Sequence, residues 1–359
     1  MVRRPMTRLA VTVAAAGTIC ALAASAASAA PHASWLPAGH VPGAITNDSP
    51  AIATINFPVP LGQGQIVAWR GRGNAGPIFE KYRVAGLNNA KWSKVGRVPG
   101  FTSSAPALGS YIDPLGRNAV LAVWTGPKDH HIWYAQGETR ADGTIHWTTP
   151  TFLPKSVANT DTTTGPSVLF TGHAYRVIIA WRGPASHVRF VVGIPRKRGF
   201  TWGDSEVVTG PSVTPTCKNY PCTGNTPALA EVNSSTGGSV YFFWRQLGTK
   251  AILYSTTDDT AANLAHPVFL PTPVTVPGAA SLLGPAASDL GLNGLGPLML
   301  AYKGPFGTGV KFQTLTAGLW TAPALVPGAH TVSAPALRLN ELATTTPAAF
   351  GSIVLHVFK

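Results

Sequence analysis

Residues 66–71 read "IVAWRG" and residues 178–183 read "IIAWRG". Each is an apolar, β-branched run that ends in an aromatic and then a cation. Four further apolar runs end in an aromatic, followed by a cation in three and by Thr in the first: "LAVWT" (121–125), "YFFWR" (241–245), "MLAYK" (299–303) and "LHVFK" (355–359). A small-Pro-small-apolar phrase precedes every one: "SPAI" from Ser49, "APAL" from Ala105, "GPSV" from Gly165, "TPAL" from Thr226, "GPAA" from Gly284 and "APAL" from Ala334. A third strand-like phrase follows in five copies: "IFEKY", "IWYAQ", "VRFVV", "ILYST" and "VKFQT". Last comes a Trp with Val or Leu six positions on, as in Trp35–Val41, Trp92–Val98, Trp147–Leu153, Trp202–Val208 and Trp320–Val326. In the fourth copy Leu264–Leu270 is read as the counterpart without the indole.

Six copies at a period of roughly 50–60 residues fall in the range of propeller blades. Each copy holds short apolar runs divided by Gly, Pro, Asn and Asp, which is strand-and-turn chemistry. No copy carries a long apolar stripe of period 3.6, so helical repeats are disfavoured. Runs such as "RVIIAW" are apolar throughout, as expected of strands buried on both faces. The expectation is an all-β propeller of about six blades. The phrase "SWLPAGHVPG" (34–43) is the end of a copy with nothing before it. It is expected to complete the last blade and so join the two ends of the ring. Five blades with flanking strands is the alternative.

Residues 1–29 are read as a signal peptide. Arg3, Arg4 and Arg8 form a basic leader, an apolar stretch follows, and Ala27-Ser28-Ala29 supplies a small-residue cleavage site. One propeller domain over 30–359 and export from the cell follow from that reading. No later stretch is apolar for long enough to span a bilayer. Removing the leader lowers the formal charge from +13 to +10. That excess suits an anionic surface or polymer. It is scattered rather than striped, so nucleic acid is not expected as a partner. Cys217 and Cys222 in "CKNYPC" are expected to form a loop-pinning disulfide in an exported chain. Two thiols with no nearby His do not make a metal site, and no cofactor motif is present.

The order Trp-x5-[Val/Leu]-Pro-Gly, Pro-Ala-Leu, aromatic-ended strand and "IxY" resembles the fucose-binding and tectonin-like propeller lectins. Sialidase-type propellers are a remoter likeness. Only fragments of their Asp-box remain, in "ADGTIHW" (141–147) and "RKRGFTW" (196–202). The lectin resemblance implies a saccharide held between blades by an Arg on the second strand, a Glu on the third and an aromatic. Carried over, this points to Arg70, Arg182 and Arg245, with Lys303 in the fifth copy and Thr125 interrupting the series in the second. It implies Glu80 as the one third-strand carboxylate. A symmetric 71–76 hairpin sets Ala68 opposite Glu80, diagonal to Arg70; a one-residue slip separates them. Trp133 and Tyr134, beside the polar "KDHH" turn, are expected to be exposed aromatics. His130 and His131 are read as part of that turn.

These readings favour a secreted, non-catalytic glycan-binding module. A sialidase-like glycoside hydrolase and a protein-binding scaffold are the alternatives. A hydrolase needs a carboxylate pair about 5–10 Å apart across the bond it cleaves, and the sequence does not single one out.

Overall fold

The computed structural model describes residues 41–356, apart from 47, 59–60, 85–90, 173, 209–220, 235–236, 261–263, 265–266, 268, 271, 290–296 and 341–351. All of them belong to the compact unit 33–359. The repeated phrases are strands. In the first blade the order is β1 (Ala51–Phe57), β2 (Gly62–Arg70), β3 (Gly76–Val84) and β4 (Gly96–Thr102), paired as neighbours in an antiparallel meander. The second blade is β5 (Ala107–Ile112), β6 (Asn118–Thr125), β7 (Ile132–Thr139), β8 (Ile145–Trp147) and β9 (Thr151–Phe152), the last two both pairing with β7. The third is β10 (Ser167–Phe170), β11 (Val177–Arg182), β12 (Val188–Pro195) and β13 (Phe200–Val207). The fourth is β14 (Ala228–Ser234), β15 (Gly237–Arg245), β16 (Ala251–Asp258) and β17 (Val274–Ala280). The fifth is β18 (Ala286–Asp289), β19 (Leu298–Lys303), β20 (Gly309–Thr316), β21 (Leu319–Trp320) and β22 (Ala324–His330). A two-stranded sheet, β23 (Ala336–Asn340) and β24 (Ser352–His356), follows.

The first strands pack side by side in a closed circuit: β1 on β5, β5 on β10, β10 on β14, β14 on β18, β18 on β23, and β23 back on β1. This is a β-propeller. The expected count of about six is corrected to five complete blades, the number given as the alternative. The sixth copy of the Pro phrase heads only the pair β23–β24 among the described residues, so counting phrases overcounts blades. Residues 34–40, assigned to closing the ring, lie outside the described residues. Val41, next to them, is buried against Val67, Trp69 and Ala336.

The second strands explain the opening hexapeptides. Trp69, Trp124, Trp181, Trp244 and Tyr302 are among the largest fully buried side chains. Each wedges into the interface with the preceding unit: Trp124 sits in the cluster of blades one and two, Trp181 in that of two and three, and Trp244 in that of three and four. Burying an indole removes about 150–250 Å² from water, roughly 4–6 kcal/mol gross at about 25 cal/mol/Å². Residues of opposite parity on the same strand fill the other face. Ile66 and Ala68, for example, join the interface of blades one and two. That is why these runs do not alternate apolar and polar.

The fourth copy is also re-registered. Val276, not Leu270, is the fully buried residue of its outer strand. The Val-Pro-Gly of Val276–Gly278 matches Val98–Gly100 and Val326–Gly328. The Leu270 N–H donates to the Thr256 carbonyl as the residue after the Trp does in other copies, so Phe269, buried against Phe190 of blade three, takes the place of the indole. Gly100 shows why glycine ends this phrase. Its φ is +151°, and a Cβ there would lie 2.6 Å from the Trp124 ring.

Candidate functional site

At the end of the ring where the first strands begin, the six Pro phrases enclose an axial cavity of about 450 Å³. Its rim is built by a repeated turn. A buried Thr or Ser stands four residues before each Pro: Thr46, Thr102, Thr162, Thr223, Ser281 and Thr331. Its Oγ accepts the backbone N–H two residues on, at 3.0–3.2 Å in all six copies. Short polar side chains favour this local turn. In four copies the backbone N–H of the same residue donates to a loop of the preceding blade, as from Thr162 to His130 and from Thr223 to Ser186. The turn thus fixes the rim and ties blade to blade. Sequence reading caught the Pro and missed the Thr/Ser-x-x-x-Pro spacing that was there to be found.

The residue held by each turn differs. It is Asp48, Ser104, Thr164, Asn225, Leu283 and Ser333 in order, all lining the cavity. Behind them stand the second-strand cations. Arg70 forms an ion pair with Asp48, and its Nη1 donates to the Ser103 carbonyl at 2.9 Å. Arg245 Nε donates to Asn225 Oδ1 at 2.7 Å, and its Nη1 to the Thr249 carbonyl at 3.2 Å. Arg182 donates from Nε and Nη2 to Ser186 Oγ at 3.2 and 2.8 Å. Thr125 Oγ1 donates to the Thr164 carbonyl at 2.8 Å. Much of this series therefore serves the framework of the rim.

Glu80 lies where the symmetric hairpin puts it, opposite Ala68. Its head does not meet Arg70, which reaches outward to the rim. The carboxyl is instead buried between blades one and two beside Gly96 and Trp147, and Oε2 has no hydrogen-bond partner among the described residues. Burial pushes its pKa up to about 7, and the facing Trp147 indole N–H offsets part of that. The equivalent position in the other complete blades is Tyr134, Phe190, Tyr254 and Phe312. Glu80 thus occupies an aromatic slot, and in blades three and five the register falls on the phenylalanines rather than on Arg189 and Lys311.

The expected exposed aromatics are corrected too. Tyr134 is buried, edge-on to Trp202, because its side of β7 faces blade three. Trp133 is half-buried, its indole N–H held by Asp129 at 3.0 Å. His131, in the turn as expected, pairs with Asp161 at 2.8 Å. Cys222 is buried, and Cys217 lies outside the described residues. No group of three or more His, Cys, Asp or Glu among the described residues is arranged to hold a metal ion. No helix among them is long and apolar enough to cross a membrane.

A second cavity, of about 240 Å³, opens between blades three and four. Phe190, Val192, Ile194, Trp202 and Leu264 are its apolar lining; Arg176, Asp204 and Glu206 bring charge to it. Glu206 is placed by register: it pairs with Phe190 and so shares the face toward blade four. A bulge between Val191 and Gly193 then changes the parity of β13. Across it, Trp202 turns its indole to Tyr134 of blade two, while Asp204 and Glu206 stay with the cleft. Arg176 Nη1 is steadied by the Ala174 carbonyl at 2.7 Å. None of these three charged residues was singled out from the sequence.

No protein-family model matches the sequence, and no curated protein does. Solved structures do. The fucose-specific lectin from Aleuria aurantia superposes with a TM-score of 0.53 at 13% identity, over 79% of this chain and 80% of that one. The α-L-arabinanase of Penicillium chrysogenum complexed with arabinobiose gives 0.52 at 14% identity, over 86% and 91%. The Hadza microbial sialidase Hz136 gives 0.52 at 11% identity, over 86% of this chain and 66% of that one. The chain shares their propeller fold. The likeness read from the blade phrases, to propeller lectins and more remotely to sialidase-type propellers, thus has counterparts of both kinds among solved structures. At such identities it is a likeness of fold, and function has to be argued from the sites.

Proposed function

We propose that the protein is a secreted, lectin-like propeller that binds a saccharide in the cleft between blades three and four and does no chemistry on it. The observation that carries this reading is the make-up of that cleft: one guanidinium and two carboxylates among apolar and aromatic side chains. Charged donors and acceptors give directional hydrogen bonds to sugar hydroxyls, and apolar side chains cover a C–H face. The volume is below the range of about 300–1,000 Å³ usual for larger ligands, so it suits a single sugar ring. Asp204 and Glu206 come from one strand, two residues apart. A hydrolase needs carboxylates flanking the bond it breaks. This arrangement favours binding over turnover, and the fold neighbours that bind fucose agree with it. The leader pattern of residues 1–29 supports export.

Titration calorimetry with a panel of monosaccharides and their methyl glycosides tests the reading. Arg176→Ala and Glu206→Gln should each weaken the best ligand at least tenfold with an unchanged circular dichroism spectrum. Fluorogenic glycosides should not be turned over. Unaltered affinity in both variants would overturn the cleft assignment, and turnover abolished by Glu206→Gln would establish the hydrolase instead.

A further inference from the structure

The rim turns of blades one and four have the same backbone and the same arginine, but different charge. In blade one the turn presents Asp48, which neutralises Arg70. In blade four it presents Asn225, which accepts the Arg245 hydrogen bond in the same way but carries no charge. Arg182 from blade three adds a second guanidinium; its strand position, the same parity as Ala180, faces blade four. Neither Arg182 nor Arg245 has a carboxylate at ion-pair distance among the described residues. Burial, and then the nearby Arg182 charge, lower the Arg245 pKa. The guanidinium also lies directly over Gly224, where a Cβ would collide with it. The side chain is therefore held in a made place behind Asn225, which lines the axial cavity, with no acid at ion-pair distance among the described residues.

We propose that Arg245, held by Asn225, and Arg182, on the face of blade three toward blade four, form an anion-binding site that takes a sulfate ester or carboxylate carried on a saccharide. Both oxyanions suit the fork of a guanidinium, which offers paired parallel donors. The rim cavity beside the pair leaves room for the sugar that bears the anion. Two features of the arc favour a polymer. Lys303 stands at the equivalent position of blade five, and the Lys250 ammonium is kept nearby over the Phe306 ring at 4.7 Å. The site is separate from the cleft of Arg176 and Glu206, and does not depend on it.

The test is calorimetric titration of the full chain with dextran sulfate, carboxymethyl dextran and neutral dextran at fixed ionic strength. At least one charged dextran should bind ten times or more tightly than the neutral one, and which one does so identifies the anion. Asn225→Asp recreates the blade-one pairing without removing any contact, and should weaken that binding at least tenfold. Arg182→Gln should do the same, and covers the event that Asn225→Asp fails to fold. Two controls, Arg176→Ala and the triple change of Arg196, Lys197 and Arg198 to Gln in the exposed hairpin at the other end of blade three, should change it less than threefold. Equal affinity for charged and neutral dextran would overturn the proposal. So would wild-type affinity in a folded Asn225→Asp, or a loss that follows the hairpin variant.

Discussion

Replacing Glu80 by Gln should make the protein more stable, and only above the pH at which ordinary carboxyls ionise. In the unfolded chain this carboxyl titrates near 4.5, and in the folded protein near 7. Below pH 4.5 both states hold the proton and the group is neutral in each. Between the two values the folded protein binds a proton that the unfolded chain has released. Stability therefore falls as pH rises, by about 1.4 kcal/mol per unit, and the fall ends once pH passes the folded value. A gap of about 2.5 units makes the loss on the order of 3 kcal/mol. Its source is the desolvation of a carboxylate in a slot that four other blades fill with an aromatic ring. Gln has nearly the same shape and no charge in either state, so the variant lacks this loss. Urea unfolding, followed by tryptophan fluorescence at pH 4.5, 6, 7 and 8, gives the difference between variant and wild type. It should be near zero at the lowest pH and reach on the order of 3 kcal/mol at pH 8. Other titrating groups contribute equally to both proteins and cancel. A difference that is flat across the series would refute the argument, because it would mean that Glu80 ionises in place at no cost.

Glu231 should govern the decline beyond that range. Burial, followed by its hydrogen bond and charge repulsion with Asp259, pushes its pKa up to about 9, so its contribution to stability is lost as pH rises from about 4.5 to about 9. In Glu231→Gln the remaining slope between pH 7 and 9 should flatten in the same urea series, and an unchanged slope would count against the assignment. The rim turn gives another test. Thr102 Oγ1 accepts the Ser104 N–H at 3.2 Å, and its single proton is shared between the Ser104 and Thr125 carbonyls, each at 3.0 Å. Thr102→Val leaves that buried N–H without its partner and should cost about 1–3 kcal/mol, whereas Thr102→Ser should restore most of it. The urea midpoints decide, and equal loss in both variants would point to packing rather than the hydroxyl.

The fold was legible because packing requirements recur. Trp69, Trp124, Trp181 and Trp244 do one job in four blades, so four tryptophans appear in one context. The rim turn recurs just as regularly, but it is carried by a single small hydroxyl four residues from the Pro, in segments where Ser and Thr are frequent. The sites were not legible for a different reason. Arg176, Asp204 and Glu206 come together through the pairing of Phe190 with Glu206 and a bulge one step further on, and a bulge leaves no mark in the pattern of residue types. The hairpin that puts Glu80 opposite Ala68 was readable, yet it did not say that Arg70 would turn away to Asp48.

In a ring of near-identical blades, function is to be sought where one copy departs from the others, and a departure has meaning only against the correct register. By residue type alone, Glu80 is the carboxylate half of an Arg–Glu pair. Against Tyr134, Phe190, Tyr254 and Phe312 it becomes an ionisable group in a slot built for a ring. The turn sets Asn225 level with Asp48, and there Arg245 meets an uncharged partner where Arg70 meets a carboxylate. Asn225→Asp is for that reason more telling than removal of either arginine. It keeps every hydrogen bond that the scaffold uses and changes only the charge that the scaffold does not need.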